Sequence, residues 1–482
     1  MNVSLSTMSD RRARCGGDAV AQAVLGDPDL VTDMALTTAW SIYPDLPPVV
    51  TGDDDAIHVG ACLLASARLD DLARCRAILA RYWRDSLFVF AGTLRDASTF
   101  VLETSAAEAW CALGEPSHAR VHANRSLSFA SGPFQQAKSK ALSALCIALH
   151  GDIGRAVTLL GESDLPDGSE LDSSVRGIYP RALARVLIAS ASADARELRN
   201  VASDLRFVGA GLDYRRMAAE AALVQAQILE GSVDEGIASG MALLSLGARA
   251  GQAMVRALLA SVIFDAYLIR GEPRRALSVL EAQPEPPGSV TCGNVQRAYA
   301  YSLMRDDRRV LRETSMCMSR LTGHSIRVMV PLAMVRGLSC FRLGQRARAR
   351  QHFIDGLQLA LRAEVSFTSF IGLDAGDLKS ALLSLDNISP ELTSMVAAII
   401  EFIERKGGRS ESVSLPRLTG RERELAWGLY RALSNSELAS SAGSSVNTVK
   451  AQLRTLYKKL NVTDRKGAVE YLDARDFFLD GE

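Results

Sequence analysis

Six basic residues lie between Ser445 and Gly467 (Lys450, Arg454, Lys458, Lys459, Arg465 and Lys466) against one acid, Asp464, a local net charge of +5. The chain around them has 482 residues with 55 basic and 55 acidic side chains, and is neutral as a whole. That contrast marks a local site for phosphate groups rather than a polyelectrolyte. Val449, Leu453, Leu456 and Leu460 recur at helical spacing in the same stretch, which predicts an amphipathic helix from Ser445 to Leu460 with a buried aliphatic stripe. The face left to solvent then carries Asn447, Lys450, Ala451, Arg454 and Lys458. A charge run of this kind is ordinarily no more than a solvated helix face, so the elements around it must decide what it is for.

Those elements are marked by caps and turns. Thr419 is expected to cap a helix from about Arg421 to Arg431, with Glu422 at capping-box spacing and Leu425 and Leu429 on one face. Ser434 or Asn435 caps a short second helix through about Ala442, Gly443-Ser444-Ser445 forms the turn, and Ser445 caps the third. The blocks Leu418-Thr419-Gly420-Arg421-Glu422-Arg423-Glu424-Leu425, Leu433-Ser434-Asn435-Ser436-Glu437-Leu438-Ala439, Thr448-Val449-Lys450 and Leu456-Tyr457-Lys458-Lys459-Leu460-Asn461-Val462 follow in order at fixed spacing. Together they resemble the DNA-binding domain of LuxR-type transcriptional regulators, a four-helix helix-turn-helix.

The resemblance implies that Lys450, Ala451 and Arg454 face base edges in the major groove of double-stranded DNA, with Thr448 and Lys458 meeting phosphates and Asn447 on the same face. Several positions depart from the pattern. Ala426 and Gly428 stand for large aliphatics, Ala432 for a helix-ending glycine, and Ala442 and Ser444 for aliphatics around the turn. Each predicts lost packing, partly refilled by Trp427, and a domain of marginal stability when isolated.

The preceding four hundred residues repeat. The signal Gly-(Glu/Asp/Gln)-x-x-x-Ala occurs at Gly114, Gly151, Gly271 and Gly344, with weaker forms near Ser192, at Gly231-Ser232 and at Asp306-Asp307, at intervals of 37, 41, 39, 40, 35 and 38 residues. A period near 40 with a turn flanked by small residues predicts stacked helical hairpins. A further turn is expected near Arg68-Leu69-Asp70-Asp71, giving about eight units, and breaker-rich loops fall at Pro166-Asp167-Gly168-Ser169 and Pro284-Glu285-Pro286-Pro287-Gly288. The unit Ala349-x-x-x-Phe353-x-x-Gly356-Leu357 resembles the second helix of a tetratricopeptide repeat. Helical repeats before such a C-terminal domain resemble the MalT class of regulators, without the phosphate-cradling loop of its ATPase.

The expected organisation is all-α: a disordered N-terminus at 1–17, a tetratricopeptide-like body at 18–405, a flexible linker at 406–416 and the helix-turn-helix domain at 417–482. Composition agrees, being 48% apolar and only 6% aromatic. The most apolar stretch, Ala253 to Ile269, is interrupted by Arg256 and Asp265, so neither a membrane span nor a signal peptide is expected and the location read is cytoplasmic.

Other chemistry is sparse. Cys15, Cys62, Cys75, Cys111, Cys146, Cys292, Cys317 and Cys340 are far apart without Cys-x-x-Cys spacing or a histidine at metal distance, and read as small buried apolar residues. His118 and His122 are four apart on a helix, and read as surface imidazoles rather than metal ligands. No metal, cofactor or enzyme activity is expected. The function expected is a transcriptional regulator, a homodimer on DNA, whose repeats bind a small-molecule, peptide or protein signal. The competing reading is an interaction scaffold whose degenerate C-terminal domain no longer binds DNA.

Overall fold

The computed structural model describes residues 46–473 and Phe477, apart from 90–91, 163–177, 209–212, 248–250, 285–287, 320–323, 365–369, 371, 408–417, 442 and 461. The expectations for residues 1–17, for Pro166 to Ser169 and for most of the linker at 406–416 fall outside the described residues.

The described chain is all-α except for a two-residue antiparallel ladder, in which β1 (Trp83–Arg84) pairs with β2 (Leu87–Phe88). Its helices come in antiparallel pairs joined by tight turns. The pairs are α1 (Asp53–Arg68) with α2 (Leu72–Tyr82), α3 (Asp96–Ala112) with α4 (Pro116–Ser128), α5 (Pro133–His150) with α6 (Ile153–Gly161), and α7 (Tyr179–Ala191) with α8 (Ala195–Val208). They continue with α9 (Asp213–Glu230) and α10 (Val233–Ser245), α11 (Ala253–Ile269) and α12 (Pro273–Glu281), and α13 (Gly293–Leu303) and α14 (Asp307–Glu313). The short α15 (Ser315–Ser319) precedes α16 (Ile326–Arg342) and α17 (Arg346–Arg362), and α18 (Ala375–Leu383) and α19 (Pro390–Gly407) end the body.

Each of the first eight turns holds one residue in the left-handed region, with φ between 54° and 100°: Asp70, Gly114, Gly151, Ala193, Gly231, Gly271, Arg305 and Gly344. The next helix then starts on a local cap. Asp71, Asp152, Asp194 and Asp306 each accept the backbone N–H three residues on, while Pro116 and Pro273 occupy first helical positions whose N–H needs no partner.

Small residues line the helix contacts, so the core is a dense lattice of Ala, Leu and Val running without a break from Ala61 to Val290. The hairpins do not simply file past one another. Asp70 accepts the Ala253 N–H at 2.7 Å and pairs with Arg256 at 2.8 Å, and the Gln252 amide donates to the Ala67 carbonyl at 3.0 Å. Further along, the Ser289 N–H donates to the Gly114 carbonyl and the Ile153 N–H to the Ala363 carbonyl, both at 2.9 Å. These partners are separated by 175 to 210 residues, about five repeats of ~38 residues. The superhelix of hairpins therefore meets itself after about five units. Glycine is required where the backbones touch: a Cβ at Gly288 would lie 2.2 Å from the Gly114 carbonyl oxygen, and one at Gly151 2.5 Å from the Arg327 nitrogen.

Beside this seam lies a buried charge network. Arg68, with a fully buried side chain, forks onto Glu108 at 3.0 and 3.1 Å and donates to the Tyr214 hydroxyl at 3.1 Å. The Tyr179 hydroxyl donates to Gln252 at 2.8 Å. No helix among the described residues is long and apolar enough to cross a membrane.

The C-terminal domain follows as α20 (Gly420–Tyr430), α21 (Asn435–Ser441), α22 (Val446–Leu460) and α23 (Arg465–Asp473) around its own core, in which Leu425, Leu429, Leu438, Val449, Leu453, Leu456, Leu460 and Leu472 are all buried.

Candidate nucleic-acid interface

Three side-chain caps fix the three helices of the C-terminal domain that carry the candidate site. The Thr419 hydroxyl accepts the Glu422 N–H at 3.2 Å while Glu422 accepts the Thr419 N–H at 2.7 Å, a complete capping box. Ser434 and Glu437 repeat it at 3.3 and 2.7 Å, and the Ser445 hydroxyl accepts the Thr448 N–H at 3.1 Å. Lys459, then the Thr419 backbone, holds the Glu422 carboxyl below its ordinary range. The turn between α21 and α22 passes through Gly443 at φ 56°, where a side chain would be strained.

On α22, Val449, Leu453, Leu456 and Leu460 are all buried, and Asn447, Thr448, Lys450, Ala451, Arg454 and Lys458 are all exposed. The two sets divide the helix into an aliphatic and a cationic side. The six basic residues behind the net charge divide as well. Lys459 pairs with Glu422 at 2.7 Å, and Arg465 donates to the Leu433, Leu429 and Gly428 carbonyls at 2.7, 3.2 and 3.5 Å, closing the end of α20. Lys450, Arg454 and Lys458 make no hydrogen bond or ion pair with a described residue. They stand four and four apart, and so share one stripe of the exposed side.

The departures in this domain do not act as their residue types suggest. The gap expected at Gly428 is filled: a Cβ there would lie 2.1 Å from the Leu438 Cδ2, so Leu438 of α21 occupies the space that a larger side chain would take. Ser444 supplies a hydrogen bond in place of packing, accepting from Arg421 at 3.2 Å. Ala432 costs backbone strain instead of packing, being held at φ 58°. Trp427 lies half-buried against the core, edge-on to Tyr430, and Ala442 lies outside the described residues.

Elsewhere, the reading of His118 and His122 as a surface pair needs correction. His118 is exposed and stacks on Trp110, but His122 is fully buried with its Nδ1 2.7 Å from Glu103, whose other oxygen meets Arg125 at 3.1 Å. Four residues along a helix of this packed body face two environments. Cys62, Cys75, Cys111, Cys146, Cys317 and Cys340 are buried and Cys292 half-buried.

A second concavity was not legible in the sequence. The first helices of successive hairpins, α7, α9, α11, α13 and α16, line a groove of about 270 Å³ with Leu187, Ile228, Leu258, Val295 and Tyr299 among its apolar walls. Asp265 and Arg327 both face it, and neither makes a hydrogen bond or ion pair with a described residue. The surrounding groove walls push the Asp265 carboxyl up to about 7, against the pull of Arg327, although the residue itself stays exposed to solvent at the mouth of the groove. From the sequence alone Asp265 reads as an interruption of an apolar helix.

Residues 416–472 match the family described as bacterial regulatory proteins, luxR family, so this segment is a LuxR-type helix-turn-helix domain. Over 55 residues the chain is 47% identical to the probable transcriptional regulatory protein SgaR of Hyphomicrobium methylovorum, a match that covers 11% of this chain and 26% of that protein. The chain thus spans about a quarter of the length of the curated relative it matches.

Proposed function

We propose that this chain is a DNA-binding transcriptional regulator in which α22 enters the major groove of double-stranded DNA and the tetratricopeptide-like body receives a signal. One observation carries the reading: in a segment that matches the luxR family, Lys450, Arg454 and Lys458 lie exposed on one stripe without a partner among the described residues. Lys450, Ala451 and Arg454 read base edges, Thr448 and Lys458 contact phosphates, and Asn447 lies beside them. One such helix spans only a few base pairs, so two copies act on half-sites about 34–36 Å apart, and the chain works as a homodimer on DNA.

The groove at Asp265 and Arg327 is the proposed signal site. An apolar wall with two charged groups of opposite sign suits a small organic molecule with an apolar body and an ionisable head. Its occupancy shifts a population of body conformations and so the presentation of the two reading heads, in a reading that involves binding without turnover. The relative's description as a transcriptional regulatory protein supports the same role.

Fluorescence anisotropy of the full chain on a labelled duplex across salt concentrations tests the DNA half. Binding should weaken steeply with salt, and Lys458→Ala should weaken all duplexes alike and lower the salt slope by about one. No binding at low salt would leave the alternative, an interaction scaffold.

A further inference from the structure

The sequence separates Cys292, Cys317 and His324 by 25 and 7 residues, and the fold brings them together. Cys292 is the residue that caps α13, Cys317 lies in the five-residue α15, and His324 stands one residue before the cap of α16. The two sulfurs are 3.7 Å apart, and one atom of each of the three side chains lies within 4.8 Å of the others. Among the described residues no other trio of His, Cys, Asp or Glu meets that test.

We propose that Cys292, Cys317 and His324 form a binding site for a divalent cation of the zinc class, held by two sulfurs and one imidazole nitrogen, with the fourth position left to water or a ligand. The sulfur separation argues for it. Zn–S bonds of about 2.3 Å at a tetrahedral centre place two sulfurs about 3.75 Å apart, and a disulfide needs about 2.05 Å. The 3.7 Å separation therefore suits a cation between the sulfurs without movement of either helix. The imidazole needs to close by about 1 Å from the 4.8 Å limit, within the reach of a side chain on a connecting segment. On binding, each thiol gives up its proton, so that two protons leave, the imidazole binds neutral, and the site is charge-balanced. Cys292 also lines the groove that holds Asp265 and Arg327, so the cation would pin one wall of that groove to α15 and to the start of α16.

Cobalt(II) titration of the reduced full chain, read by absorbance, tests the site. The expected result is one equivalent per chain, with sulfur-to-metal charge-transfer bands, the visible bands of a tetrahedral ion, and displacement by zinc. Cys292→Ser and Cys317→Ser should abolish the charge-transfer signal, and His324→Ala should weaken binding by more than the about 10–100-fold typical of losing an outer-shell partner. Cys317 is buried, so unchanged helical circular dichroism is required of its variant, and His324→Ala supplies the same test from a less buried position. Cys111→Ser is the internal control: that residue lies 3.6 Å from Cys146 with no histidine in the group, and its loss should leave the titration unchanged. No tetrahedral spectrum, or one that survives Cys292→Ser and His324→Ala, overturns the proposal.

Discussion

A set of arginines in the body is turned inward, whereas in the C-terminal domain three cations of α22 are turned outward. Arg68 is sealed against Glu108, Arg256 clasps Asp70, and Arg342 reaches Asp307 and Asp377. Lys450, Arg454 and Lys458 have no such counter-charge among the described residues. A cation already matched inside the fold contributes to architecture, and one left unmatched on a rigid helix is available to a polyanion. The same residue type therefore does opposite work in the two regions.

Substitutions should sharpen that contrast. Arg68→Ala should have the largest effect, about 3 kcal/mol of stability lost as buried Glu108 loses its two-pronged partner and keeps only Lys138 at 4.0 Å, read as a lower urea midpoint. An unchanged midpoint would remove the buried network from the account. Arg454→Ala should do the reverse. Unfolding should stay within about 0.5 kcal/mol of the parent, while DNA affinity falls by about 1–3 kcal/mol with relaxed preference at one base pair.

Ala432→Gly should stabilise the C-terminal domain by about 1 kcal/mol, since glycine relieves the strain at φ 58°. Differential scanning calorimetry would show it as a raised transition for that domain alone. The smallest effect is a slope, because Asp265 is exposed and solvent screens most of what its environment does to it. The groove walls raise its carboxyl towards about 7 from an ordinary value of 3.8. Between those values the folded state binds more protons than the unfolded one, so stability falls as pH rises. Asp265→Asn should flatten that fall, and denaturation curves at about pH 5 and about pH 8 that keep the parent's difference would count against it.

What the sequence showed and hid follows from the range of the interactions. The turns at Asp70, Gly114, Gly151 and Gly344 could be located because a left-handed residue followed by a cap is local chemistry. The division of α22 into buried and exposed sides follows from spacing alone. The seam joins groups 175 or more residues apart, and no periodicity announces it. Arg256 and Asp265 both looked like breaks in one apolar helix, yet the first belongs to the seam and the second to the groove. The local charge of +5 also counts Lys459 and Arg465, although both are turned to partners within their own domain.

The contact of Asp70 with Arg256, and of Ile153 with Ala363, has a kinetic side. An open stack can fray from either end, since each unit depends only on its neighbours. Here early and late units brace each other, so the array is expected to melt in one cooperative step. Its folding should be slowed by the high contact order of a chain that must bring distant segments together before either is secure.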